Sequence, residues 1–79
     1  MYEKDLKIIA QAREYLKGNV YYRDINLAVF IVRDLQATKD AGLSDLAWSM
    51  YKEHGTKSEA IYLLDEIEYF IKYNKPIKH

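Results

Sequence analysis

Between Ile25 and Val32 the chain reads "INLAVFIV", in which only Asn26 is polar. Such a run suits a buried strand, because Val and Ile pack well on a pleated surface. A strand must find a neighbour for its backbone hydrogen bonds, and no second strand-like stretch occurs in the sequence. The run therefore reads as a helix, and a helix apolar nearly all round belongs at the centre of a helical domain. That constraint sets the expected class: all-α, a compact four-helix domain with short glycine-containing turns.

The flanking segments supply the other helices. "YEKDLKIIAQAREYLKG" carries a wide apolar face at helical spacing and predicts a helix over Glu3–Lys17, stopped by a left-handed Gly18. The central helix is expected over Asp24–Ala41, with Asp24 as N-cap (Asn19 would start it a turn earlier) and Gly42 as its left-handed stop. Ser44 is expected to cap a third helix over Asp45–His54, with Leu43 and Trp48 as a hydrophobic staple. Thr56 and Glu59 form a capping box for a fourth, Lys57–Asn74, which Pro76 ends. The expected core is Leu6, Ile9, Leu16, Ala28, Ile31, Val32, Leu35, Leu46, Met50, Leu64, Ile67 and Phe70.

Seventy-nine residues make one expected domain, 1–79. A chain this short buries only about 60% of its unfolded surface, so oligomerisation is a natural source of extra stability. Without Cys, disulfides and thiolate metal sites are excluded. Twelve basic and twelve acidic residues balance, which disfavours nucleic acid and anionic lipid as partners. The longest apolar run, Leu27 to Val32, is too short for a membrane span, and "MYEKDLK" lacks the basic character of an export signal. A cytoplasmic setting is the expectation.

From Asp34 to Glu53, "DLQATKDAGLSDLAWSMYKE" resembles the bacterial helix-turn-helix pattern. Gly42 falls at the turn glycine, Ala41 and Leu43 at the apolar positions beside it, and Trp48 and Tyr51 at the apolar positions of the second helix. Thr38 departs from the small Ala of that pattern, and Trp48 is bulkier than its usual Ile or Val. The resemblance implies a DNA-reading face at Ser44, Asp45, Ser49 and Lys52, with Glu53 beside them. Two acids against one base on that face oppose phosphate binding, and it holds no Arg, Asn or Gln to read a base. Duplex DNA is therefore the alternative reading rather than the leading one.

No catalytic, cofactor-binding or metal site is expected. His54 and His79 are the only histidines, and His54 sits where a helix C-terminus favours a partly protonated imidazole. Asp65, Glu66 and Glu68 are expected to fan over a solvated outer face. No Gly-rich phosphate loop occurs, and nothing suggests a small-molecule substrate. The expectation is a non-enzymatic regulatory or adaptor-like protein that works through protein contact, self-association included.

Eight tyrosines point to the contact surface. On a wheel centred on Ile67, Tyr62, Tyr69 and Tyr73 fall together on the far side of the fourth helix, with Glu66 between them. An aromatic strip rimmed by charge marks a contact site, the alternative being that it packs within the chain on the first helix or the loop from Val20 to Tyr22. The expected arrangement is an antiparallel two-fold pair along the fourth helices, which sets Asp65, Glu66 and Glu68 against Lys72, Lys75 and Lys78 of a second copy.

Overall fold

The computed structural model describes residues 2–73. The expected helix end at Asn74 and Pro76, with Lys75, Lys78 and His79, lies outside the described residues. Among the described residues five helices follow one another: α1 (Glu3–Tyr15), α2 (Tyr22–Val32), α3 (Gln36–Asp40), α4 (Ser44–Lys52) and α5 (Lys57–Tyr73). There is no strand among the described residues, so the chain is all-α.

The expected central helix over Asp24–Ala41 is two helices rather than one, a correction that raises the count to five. The break falls at Leu35, whose backbone is extended (φ −63°, ψ 149°). Two buried side chains take over the hydrogen bonds that the interruption frees. Thr38 Oγ1 donates to the Val32 carbonyl at 2.6 Å, and Asp5 Oδ2 accepts the Ala37 N–H at 2.8 Å. Asp5 thus acts as an N-cap delivered from α1, with its negative charge at the positive end of α3. No Gly or Pro marks this break, since both partners act at a distance along the chain.

Other ends follow local rules. Gly42 (φ +72°) closes α3 with Leu43 N–H on the Thr38 carbonyl at 2.9 Å and its own N–H on the Lys39 carbonyl at 3.0 Å. α4 stops differently, because His54 (φ 55°) takes the left-handed position and Gly55 N–H reaches the Met50 carbonyl at 2.9 Å. The Thr56–Glu59 box forms in both directions, at 2.9 and 3.2 Å. Two expected caps do not. Asp24 lies one turn inside α2, where its carboxylate accepts the Tyr21 N–H at 3.2 Å, so the helix starts earlier. Ser44 opens α4 with a buried hydroxyl that makes no hydrogen bond among the described residues, and Leu43 precedes it as N-cap.

The core gathers Ile9, Ala12, Leu16, Ile25, Ala28, Val29, Val32, Leu35, Ala37, Ala47, Met50, Ala60, Leu63, Leu64, Ile67 and Phe70. Three expected core residues need correcting: Leu6 and Leu46 are exposed, and Ile31 is half-buried. The buried stripe of α1 runs through Asp5, Ile9, Ala12 and Leu16, which leaves Leu6 on its flank. α4 buries only Ala47 and Met50, so Leu46 falls beside that narrow contact. α2 packs on α1, α4 and α5, yet Leu27 and Phe30 remain outside, so it is not covered all round as expected.

Thr38→Val keeps the shape of the break but takes the short Thr38 bond from the Val32 carbonyl, which keeps only the longer one from the Leu35 N–H at 3.3 Å. It should lower unfolding free energy by about 1–2 kcal/mol in urea titrations, whereas Thr38→Ser should retain much of the bond. The hydrogen bonds from Thr56, backbone first and side chain second, hold the Glu59 carboxyl below its ordinary value. A lowered folded-state value contributes stability above the unfolded value, and that contribution is lost as pH falls through the folded one. Stability should therefore decline below the ordinary Glu value of 4.5, and Glu59→Gln should flatten that decline in pH-dependent melts.

Candidate interaction surfaces

The tyrosine strip is partly formed. Tyr62 and Tyr73 are exposed, Tyr69 is half-buried, and the Tyr69 and Tyr73 rings lie 4.6 Å apart. Tyr62 OH donates to Glu66 Oε1 at 2.9 Å, and partial desolvation followed by this bond raises the phenol above its ordinary value. Glu66 is only 6% exposed, so it belongs to the buried layer and not to a solvated outer face. Its neighbours are also committed within the chain. Arg13 Nε donates to Glu68 at 2.6 Å and Nη2 to Asp65 at 2.7 Å. These two acids therefore share one base within the chain, which reduces what they offer to the expected charge pairing between α5 helices. α1 brings in Arg13 from more than fifty residues away, which helical periodicity does not show.

The outer face of α4 holds Asp45, Trp48, Ser49, Lys52 and Glu53 around a shallow depression of about 570 Å³. Asp45, Ser49 and Lys52 are exposed, while Ser44 is half-buried. Lys52 Nζ lies 5.9 Å from the Trp48 ring centroid. The helix-turn-helix pattern would turn Trp48 inward; here it faces outward, and the helix before the turn has only five residues.

A third surface was not legible as one. α2 and α4 run antiparallel, since Asn26 near the start of α2 meets His54 after α4 (3.2 Å), and Arg33 after α2 meets Trp48. Along this seam Leu27, Phe30 and Trp48 are 38%, 44% and 37% exposed. The Arg33 guanidinium lies 3.8 Å from the Phe30 centroid, 4.4 Å from Trp48 and 5.6 Å from Tyr51. Its Nη1 donates to the Phe30 carbonyl at 2.9 Å, and Asp34 stands 3.6 Å from Nη2. The Phe30 and Tyr51 rings are 5.6 Å apart, and Tyr22 meets His54 edge-on at 5.8 Å. Beside them Arg23, Asn26, Leu27, Phe30 and Tyr51 line an open groove of about 410 Å³. The overlooked signal was an excess: α2 carries more apolar side chains than its neighbours can cover.

Arg33→Ala uncovers three rings and leaves the Phe30 carbonyl without its donor. It should cost about 1–2 kcal/mol in urea unfolding and shift Trp48 emission to longer wavelength. Arg33→Lys should recover only part of both, because an ammonium cannot stack as a plane. Unchanged stability and emission would contradict the ring contacts.

Among the described residues no group of three or more His, Asp or Glu side chains is arranged to hold a metal ion, and no helix is long and apolar enough to cross a membrane. No protein-family model, no curated protein and no solved structure matches the chain.

Proposed function

We propose that this chain is a non-enzymatic regulatory or adaptor-like module, working in the cytoplasm, whose principal contact surface is the α2–α4 seam. The observation that carries the reading is the exposure of Leu27, Phe30 and Trp48 around an ordered Arg33. A domain this small needs its apolar area inside, so a cluster left outside has a cost that a contact surface would explain. Trp, Tyr and Arg are also the residues on which interface energy concentrates. Arg33 is already 86% buried at the side chain, the remainder of its 14% exposure, so little of its freedom is left to lose on binding. The strip of Tyr62, Glu66, Tyr69 and Tyr73 is the secondary surface, with its polar groups partly engaged within the chain.

The reading is tested by capture from the native host's extract and by titration with duplex DNA. Phe30→Glu should abolish a specific captured protein while leaving the helical circular dichroism intact, because Phe30 lies outside the core. Duplex binding that collapses between about 50 and 200 mM salt would overturn it and favour Ser44, Asp45, Ser49 and Lys52 as a DNA-reading face.

A further inference from the structure

The charges around the seam have a direction. At the end where α2 begins and α4 stops, Arg23, Lys52 and Glu53 are exposed while Asp24 is half-buried on the Tyr21 N–H, so exposed bases outnumber exposed acids two to one. At the end where α2 stops and α4 begins stand Arg33, Asp34 and Asp45, two acids against one base. Arg33 is turned into the rings beside Asp34, whereas Arg23, Asp45 and Glu53 make no ion pair among the described residues. The surface is therefore apolar in its middle, positive at one end and negative at the other.

From this we infer that the seam is covered by a second copy of this chain, packed about a two-fold axis perpendicular to α4 so that the two α4 helices run antiparallel. The inference deepens the protein-contact reading and rests on it. A uniformly acidic or basic partner would satisfy one end of the seam and be repelled by the other. A reversed copy matches both: Asp45 of each chain faces Arg23 and Lys52 of the other. The parallel arrangement would set Asp45 against Asp45, so charge selects the antiparallel one. Antiparallel helices also oppose their dipoles favourably.

Size and net charge agree with this occupant. With twelve bases and twelve acids, two copies approach without long-range repulsion. Tyr22, Leu27, Phe30 and Trp48 together expose on the order of 400 Å². That is about half of the ~800 Å² per partner of a standard interface, and the charged rim would supply the rest. Such a contact replaces the α5 pairing expected from the sequence, two of whose acids, Asp65 and Glu68, already pair with Arg13.

The test is the light-scattering mass of the full chain over a dilution series, with circular dichroism to verify folding of each variant. The parent should pass from dimer to monomer on dilution, and Trp48→Ala should raise the dissociation constant at least about thirtyfold. Arg23→Glu and Asp45→Arg should each weaken the dimer, and the double variant should return to within a few-fold of the parent. That recovery is a result that a merely structural role for either residue would not give. A parent that stays monomeric at every concentration overturns the inference, as does a dimer lost in Tyr69→Glu but indifferent to Trp48→Ala. Failure of the double variant to recover overturns the antiparallel pairing. A monomeric parent whose captured host protein is lost in Phe30→Glu overturns the second copy alone; a monomeric parent that captures nothing removes the contact reading with it.

Discussion

Deep in the domain the Asp5 carboxylate accepts the Ala37 N–H, while Thr38 Oγ1 closes on the Val32 carbonyl. Both groups are buried, so neither can exchange its partner for water without a penalty. Their combined effect is to make a break in the chain cheaper than a continuous helix. Unbroken from Asp24 to Ala41, that helix would run about 27 Å and carry the next turn well past α2's other neighbours. Broken at Leu35, the chain buries that side chain and turns back, so that α4 lies antiparallel across α2. The seam between α2 and α4 is thus a consequence of two hydrogen bonds at the joint between α2 and α3.

Two arginines then divide the surface between them. Arg13 links α1 to α5 by pairing with both Asp65 and Glu68, and in doing so offsets one of their two negative charges. Arg33 makes its main contacts with aromatic faces, with one donor on the Phe30 carbonyl. The first arrangement pairs charges that stay partly exposed. The second holds an apolar cluster in fixed geometry at the surface. Counting charges along α5 cannot tell these cases apart, because the neutralising base lies on another helix.

Local chemistry was the legible part. The glycine turn at Gly42 and Leu43 and the capping box at Thr56 and Glu59 can be read because each involves residues a few positions apart. Most of the apolar core was legible for the same reason, as helical periodicity marks Ile9, Leu16, Val32, Leu64 and Ile67 directly. What escaped depends on partners far along the chain: Asp5 under α3, Arg13 on α5, and the burial of Glu66. Leu27 and Phe30 escaped for a different reason. Periodicity reports which side chains are apolar, but burial depends on how many neighbours arrive, and those on α2's outer flank stop short of both.

The ring cluster owes its order to folding. Arg33 reaches the rings from the C-terminus of α2, where its charge suits the negative end of the helix and Nη1 satisfies the Phe30 carbonyl. Trp48 and Tyr51 are held by α4, whose buried side, Ala47 and Met50, faces the core. Each ring in the cluster is therefore positioned by backbone elements that the core already requires, and the guanidinium lies over them without an external ligand. Ordering long side chains usually subtracts from the affinity of a contact. Here that ordering is completed when the helices pack, so a partner would meet a surface already in place. The tyrosine strip differs, because Tyr62, Tyr69 and Tyr73 all stand on the single helix α5, whereas the seam's rings come from two helices. Pre-ordering is what separates the seam from the strip as a place to bind.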